Sequence, residues 1–249
     1  MPKQQSSLGA VGLKPYTGKL TALDAASAIQ AARLNAIELL ETATRLHAAE
    51  RYSHSRVFAV LALEEVGKVQ ILLALLCGGD RSVDLWRAYR RHTAKTELLN
   101  FVIEMRAGAH FPDLPEETLA TVRSSGPTPD DLDAHKQLAL YSDCFVGVDN
   151  RAAVHLPANL EWKDRAEFVL ADAKVLVTYL RDYSPEELEV WREILDRPDQ
   201  SGEGLSEIIK PAYDALVARG FVTPEQWAPI LDYVDKHQEP PNDFGKQDA

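Results

Sequence analysis

The chain has 249 residues, enough to bury a sizeable core in one large domain or in one domain with a smaller appendage. Its 45% of apolar and 26% of charged residues are typical of a globular protein and exclude a disordered or fibrous chain. The formal net charge of −11 argues against broad electrostatic binding to nucleic acid, so we expect no DNA partner. A local basic cleft is still compatible with this charge.

A first long helix is predicted from Thr21 to about Ala49, because apolar residues recur there at helical spacing and Thr21 or Asp24 suits the cap. Its buried stripe is expected to contain Ile29, Ala32, Ala36, Leu40 and Ala43. A second helix starts near Ser53 or Ser55 and ends at Gly78. This helix is apolar nearly all round, so we expect it at the centre of a bundle.

A third helix is predicted from Ser82 to Gly108, followed by irregular chain and a turn-rich loop over 124–131. The next helix carries DAHKQLALYSDCFV at 133–146, and a second irregular stretch spans 148–162.

Two further helices are predicted in the second half of the chain. One covers 164–181, with one apolar face made of Phe168, Ala171, Val175 and Leu176. The other opens at Ser184 as cap with Pro185 in the first position.

Period-two alternation, internal repeats and heptads are not found, so the predicted class is all-α, a helical bundle. We expect an N-terminal extension on the surface over 1–20, the bundle over 21–196, a C-terminal helical hairpin over 197–238 and a disordered tail over 239–249.

The location of the protein follows from its termini, cysteines and hydropathy. The N-terminus lacks a signal-peptide pattern, and Cys77 and Cys144 show no pairing spacing, which favours a cytoplasmic protein. The stretch from Val57 to Cys77 is nearly long enough to span a bilayer. Its three central charges would each cost about 2.5 to 3.5 kcal/mol on insertion, so we expect no membrane association.

Those three charges interrupt the stretch LALEEVGKVQILLALLC at 61–77. Glu64 and Lys68 are four residues apart and share a face, while Glu65 points about 100 degrees away, and both faces are otherwise apolar. All three charges therefore approach other helices. Gly67 costs about 1 kcal/mol in a helix interior and so indicates close approach of a neighbouring helix.

The third helix supplies partners for these charges. Its apolar stripe contains His92, and Lys95 lies three residues further along. Because antiparallel helices joined by a short turn bring their middles together, we infer one buried polar cluster. Its members are Glu64, Glu65, Lys68, His92 and Lys95.

Two interpretations of this cluster stay open: a satisfied network that fixes helix register, or a functional site. A metal site is a third alternative, but the Glu-x-x-His spacing of ferritin-like sites is missing from the sequence. We therefore expect neither a metal nor a cofactor.

The residues around the cluster resemble the AbiV family of bacterial abortive-infection proteins, over about Leu23 to Asp182. The resemblance is carried by RLHAAERYSHSRVFAVLALEEVGK with its Glu-Glu-x-Gly-Lys signature, HTAK at 92–95, LALYSD at 138–143 and Pro157. That family looks related to the HEPN group of α-helical antiphage and toxin proteins. The resemblance thus implies a HEPN-like bundle, and many HEPN proteins complete a ribonuclease site across a homodimer.

In that group an Arg is followed four to six residues later by a His, and here Arg87 and His92 match the spacing. The resemblance implies metal-independent RNA cleavage, with His92 moving a proton and Arg87 stabilising the charged phosphorane. Arg90 and Arg91 would assist RNA binding, and Lys68 and Lys95 would add phosphate contacts.

Three functions follow as alternatives. The first is a dormant RNase toxin of phage defence that a phage product activates. The second is a non-catalytic interaction protein whose polar network is switched by a phage protein, arresting host growth through binding. The third is a helical scaffold.

Overall fold

The computed structural model describes residues 14–77, 82–96, 129–141, 143–146, 151–155, 163–178, 180–195, 205–225 and 228. Its elements are, in chain order, α1 (Ala22–Ala48), α2 (Tyr52–Cys77), α3 (Ser82–Arg90), α4 (Pro129–Leu140), β1 (Asp143–Val146), β2 (Ala152–His155), α5 (Lys163–Thr178), α6 (Pro185–Leu195) and α7 (Leu205–Ala218). Residues 92–96 form a further helical segment. The predicted all-α class is confirmed. The predicted continuation of the third helix from residue 97 to Gly108 and the predicted C-terminal tail lie outside the described residues.

Helix α1 begins where its capping residues predict. The Thr21 hydroxyl accepts a hydrogen bond from the Asp24 N–H at 3.1 Å, and the Asp24 carboxylate accepts one from the Thr21 N–H at 3.2 Å. At its other end the chain reverses at Glu50, a non-glycine residue with φ 57°, and the Arg51 N–H donates to the Leu46 carbonyl at 2.9 Å. This turn brings α2 back along α1.

Helix α2 lies at the centre of the bundle, as predicted, and contacts α1, α3, α4, α5 and α6. One apolar cluster joins it to α1, α4 and α5, and a second joins it to α1, α3 and α6. Buried alanines allow the helices to approach closely; they include Ala36, Ala43, Ala59, Ala62 and Ala173. Within the described ranges, no helix combines the length and hydropathy that crossing a bilayer requires.

The predicted third helix is interrupted at Arg91. Helix α3 ends at Arg90, the Arg91 N–H donates to the Ala88 carbonyl at 3.0 Å, and helical structure resumes at His92. Since RAYRRH contains no Gly or Pro, local sequence gave no signal for this interruption. We attribute the interruption to tertiary contacts, because Trp86 of α3 packs in an apolar cluster with α1 and α2, and segment 92–96 lies against Gly67 of α2.

A β-hairpin replaces part of the predicted fourth helix. Helix α4 starts at Pro129, inside the predicted loop, and ends at Leu140. The following strands β1 and β2 pair antiparallel, with Asp143 opposite His155 and Val146 opposite Ala152. The prediction of helix through Val146 was therefore wrong, because DCFV is paired in a strand that its Phe and Val residues favour. Part of the predicted irregular stretch 148–162 forms β2, and the remainder other than Arg151 lies outside the described residues.

The buried face of α5 differs from the predicted one. Phe168, Ala171 and Val175 are exposed, and only Leu176 of the predicted set is buried. The face that packs on α1 and α2 is made of Ala166, Val169, Leu170, Ala173, Leu176 and Val177. Its alanines permit the close helix contact that the larger side chains of the alternative stripe would prevent.

Helices α6 and α7 form a smaller unit at the C-terminal side. The predicted start of α6 is confirmed, because the Glu187 N–H donates to the Ser184 hydroxyl at 3.1 Å. Helix α7 packs on α6 through an apolar cluster of Val190, Ile194, Ala212, Leu216 and Val222. It ends at Ala218, and the chain turns at Gly220, which has φ 76°. Most of the predicted partner helix lies outside the described residues.

Candidate functional site

The carboxylate of Glu64 is the centre of a buried network in the middle of α2. Its Oε1 accepts a hydrogen bond from Lys136 Nζ at 2.7 Å, and its Oε2 lies 2.6 Å from His92 Nδ1. Lys95 Nζ lies 3.7 Å from the same Oε2. Because the Glu64 side chain is only 5% exposed, the two lysines compensate a charge that would otherwise be too costly to bury.

The two lysines beside Glu64 differ in how firmly they hold their protons. Burial opposes the charge on Lys136, but hydrogen bonds to Asp133 and Glu64 outweigh it, so the pKa of Lys136 is raised. Burial is also the largest influence on Lys95, and Lys68 and Lys136 add repulsion. The pKa of Lys95 is therefore lowered despite its contact with Glu64.

Glu65 and Lys68 form a second pair on the neighbouring face of α2. Lys68 Nζ donates to Glu65 Oε1 at 2.5 Å and lies 5.8 Å from the centroid of the Tyr89 ring. Both charges act electrostatically on Lys95, so this pair belongs to the same network. We call the seven residues the Glu64 network; they are Glu64, Glu65, Lys68, His92, Lys95, Asp133 and Lys136.

His92 has the most exposed side chain of the network. Its side chain is 53% exposed, whereas that of Glu64 below it is almost fully buried. A carboxylate accepts hydrogen bonds, so we assign the proton on Nδ1 to the bond with Glu64. This assignment leaves Nε2 as the ring nitrogen available to a ligand.

Gly67 allows segment 92–96 to lie against α2. A Cβ at position 67 would lie 1.7 Å from the carbonyl oxygen of Lys95, closer than any side chain can approach. The close approach predicted from this glycine is therefore present. It places His92 and Lys95 over Glu64, one turn earlier on α2.

Three arginines lie on α3 or directly after it, and their surroundings differ. Arg87 is largely exposed and pairs with Asp84 at 2.5 Å. Arg90 donates to the Tyr16 carbonyl at 2.6 Å and lies over the Trp86 ring. Arg91 is exposed at the interruption of the helix.

The structure thus brings Glu64, His92 and Lys95 into contact and places Glu65 and Lys68 beside them. It does not join Arg87 to His92, because no hydrogen bond or ion pair connects them in the described chain. The prediction of one continuous helix that carries both Arg87 and His92 is wrong, since the interruption at Arg91 lies between them. Lys95 faces Glu64 with an almost fully buried side chain, which leaves little of it accessible to phosphate.

Sequence reasoning missed Lys136, which approaches Glu64 more closely than Lys95 does. A signal was available, because Leu132, Lys136 and Ala139 follow one another at helical spacing and all three are buried. Over the part of the chain that the structure describes, no cluster of three His, Cys, Asp or Glu side chains is placed to hold a metal ion.

Comparison with protein-family models gives a match to the model described as AbiV, over residues 24–178. The matched range contains α2, α3, α4 and α5, all of α1 except its first two residues, and every residue of the Glu64 network. Comparison with curated proteins and with solved structures gives no match. Because the family model covers more than half of the chain, the chain belongs to the AbiV family of HEPN-like proteins.

Proposed function

We propose that this protein acts in antiphage abortive infection as a metal-independent endoribonuclease with His92 as its catalytic base. Membership of the AbiV family supports the abortive-infection role. The observation that carries the enzymatic part is the 2.6 Å contact between His92 Nδ1 and Glu64 Oε2 beneath a half-exposed imidazole. A buried carboxylate that orients a surface imidazole is the arrangement a general base requires.

The proposed reaction is attack of the ribose 2′-oxygen on the adjacent phosphorus. His92 Nε2 takes the proton of the 2′-hydroxyl, the new P–O bond forms, and the bond to the 5′-oxygen breaks. The leaving 5′-oxygen takes a proton from water, so the products are a 2′,3′-cyclic phosphate and a 5′-hydroxyl. Glu64 is a positioning residue here, because it holds the imidazole without touching the substrate.

The cations that serve this reaction are Arg87 and Arg91. Arg87 would exchange its exposed pair with Asp84 for a phosphate oxygen, at a cost of less than about 1 kcal/mol. Arg91 directly precedes His92 and is exposed. A guanidinium binds phosphate in two-point geometry and stabilises the phosphorane.

The test compares His92→Ala with His54→Ala, a matched control because His54 is an exposed histidine on α2. Each variant is checked for thermal unfolding, phage protection and cleavage of RNA in infected cells. We expect folded His92→Ala to lose cleavage and protection, and His54→Ala to keep both. Cleavage that persists in folded His92→Ala would refute the proposal.

Protection without any His92-dependent cleavage would instead favour the alternative of a non-catalytic interaction protein switched by a phage protein. A homodimer and activation by a phage product are part of the same proposal. Sedimentation of the protein alone, and cleavage before and after infection, test these two parts.

A further inference from the structure

The Glu64 carboxylate lies between two segments that reach it from different parts of the chain. Helix α4 brings Lys136, whose Nζ donates to Glu64 Oε1 at 2.7 Å. Segment 92–96 brings His92, whose Nδ1 lies 2.6 Å from Oε2. Among the described residues, Lys136 is the only hydrogen-bond donor to Oε1. Each carboxylate oxygen thus has a close partner on a different segment.

Apolar contacts on both sides fix the position of Lys136. Leu132, four residues earlier on α4, is buried in the apolar cluster that joins α4 to α2. Ala139, three residues later, is fully buried against Val57 of α2. Residues at these spacings share one face of a helix, so the lysine is directed at α2 between two anchors. Its side chain is only 4% exposed, which leaves water little access to Nζ.

Lys136 and Lys95 are not equivalent at this carboxylate. Lys95 Nζ lies 3.7 Å from Oε2, beyond hydrogen-bond distance, on the oxygen that His92 also approaches. Burial, the largest influence on both lysines, lowers the pKa of Lys95. At Lys136 the hydrogen bonds to Asp133 and Glu64 outweigh burial, and the pKa is raised. Lys136 is therefore the lysine that keeps its charge and its bond at Oε1.

The orientation of the carboxylate decides which imidazole nitrogen carries the proton. A glutamate carboxylate turns easily about its terminal bond, because that torsion has a broad minimum. Without Lys136, Oε1 would be buried without a donor among the described residues, and a turn towards Lys95 would relieve this cost. The contact of Oε2 with His92 Nδ1 would then weaken. The ring would lose the bond that keeps the proton off Nε2.

We propose that Lys136 is a positioning residue for His92: it holds Oε1 of Glu64 so that Oε2 keeps the imidazole in the tautomer with its proton on Nδ1. Helix α4 is then part of the site, although it supplies no group to the reaction itself. The catalytic consequence rests on the proposed nuclease function, whereas the tautomer of His92 does not.

The test measures the tautomer of His92 from the nitrogen chemical shifts of full-length protein with isotope-labelled histidine, at a pH high enough for the imidazole to be neutral. The spectrum of His92→Ala identifies the resonances. We expect Lys136→Met to lower the ratio of Nδ1-protonated to Nε2-protonated ring about tenfold, the effect of losing one charge-assisted hydrogen bond. Lys95→Met is the matched control, because it removes the other buried lysine beside Glu64 and leaves Oε1 bonded. It should keep the wild-type ratio.

A milder variant covers the case in which Lys136→Met does not fold. Asp133→Asn removes the carboxylate that holds Lys136 Nζ at 2.8 Å and leaves the contact with Glu64 in place. It should lower the same ratio by a smaller factor. An unchanged ratio in folded Lys136→Met, or in Asp133→Asn where Lys136→Met is unfolded, would overturn the proposal. Equal falls in Lys136→Met and Lys95→Met would also overturn it, because they would indicate lost charge and not a lost bond.

Cleavage kinetics separate the positioning role from the proposed nuclease function. In an active nuclease, Lys136→Met should lower kcat about tenfold and leave KM nearly unchanged, because Lys136 acts on His92 and not on substrate binding. A lowered tautomer ratio in a protein that cleaves no RNA removes the nuclease and keeps the positioning role. A wild-type ratio and kcat in folded Lys136→Met, with cleavage that His92→Ala abolishes, removes the positioning role and keeps the nuclease.

Discussion

Two groups of charged side chains accompany His92, an inner buried group and an outer exposed group, and they are held in different ways. On the inner side, the Glu64 network balances carboxylates against ammonium groups at buried positions. On the outer side, Arg87 and Arg91 are exposed, and only Arg87 has a described partner, the exposed Asp84. The inner group therefore serves to fix geometry at a cost in desolvation, whereas the outer group is free to exchange partners.

The largest difference between the two groups should appear on replacing Glu64. Glu64→Ala leaves Lys136 and Lys95 buried without their shared counter-charge, so we expect a loss of about 3 to 5 kcal/mol in the free energy of unfolding. Urea denaturation measures this loss. The control is Glu41→Ala, which removes an exposed pair with Arg45 and should cost less than about 1 kcal/mol. Equal losses in the two variants would contradict the distinction between inner and outer charges.

The inner group also depends on the space that Gly67 leaves. In Gly67→Ala the new methyl group overlaps the Lys95 carbonyl, and we expect a loss of about 2 to 3 kcal/mol despite the better helix propensity of alanine. Gly220→Ala is the comparison, since a Cβ there meets open space and only the positive φ is strained. It should cost about 1 kcal/mol. A harmless Gly67→Ala in thermal unfolding would show that segment 92–96 is not held against α2.

Asp172 offers a third case, a half-buried carboxylate for which no ion pair or hydrogen bond is found among the described residues. Burial raises the pKa of Asp172 from 3.8 to about 6. Between these values the folded protein binds more protons than the unfolded chain, so this group lowers stability as the pH rises through the window. Asp172→Asn should therefore add about 1 to 2 kcal/mol at pH 7, after allowance for partial exposure.

The gain from Asp172→Asn should shrink as the pH falls from 6 to 4 and disappear below about pH 3, where the aspartate is protonated in both states. Urea unfolding of both proteins at pH 4 and pH 7 checks this. Asp214→Asn, at an exposed site on α7, is the control and should change stability by less than about 0.5 kcal/mol at either pH. A gain that is the same at both pH values would contradict the explanation by burial.

The smallest effects are expected in the outer group. Arg87→Ala and Arg91→Ala should each change stability by less than about 0.5 kcal/mol, because both side chains are exposed. Arg90→Ala should cost about 1 kcal/mol, because it removes the hydrogen bond to Tyr16 and the contact with Trp86. Thermal unfolding of the three variants gives the order, and a larger loss for Arg91→Ala than for Arg90→Ala would reverse our assignment.

Much of the fold was accessible from local sequence signals. The Thr21 cap, the Ser184 cap and the apolar character of α2 on nearly all its faces are local features that tertiary contacts do not override. The contact between Glu64 and His92 was also accessible, because charges inside apolar stripes of adjacent helices require each other.

The remaining features depend on contacts between distant parts of the chain. The interruption at Arg91 has no local cause, and the fastening of Tyr16 on Trp86 joins residues seventy positions apart in sequence. On α5, two apolar stripes overlap at helical spacing, and the choice between Phe168 and Ala173 is made by the neighbouring helices. Local spacing could place Lys136 on a buried stripe, but its contact with Glu64, 72 residues away, depends on the tertiary fold.

Gly67 has no functional group, yet the orientation of the imidazole depends on it. Any larger residue at this position would push two backbones apart and lift His92 from its carboxylate while every reactive atom remained in the protein. An inventory of chemically active side chains would omit this glycine. A design that transfers the site to another scaffold needs a helix position without a side chain at that point as much as it needs the histidine.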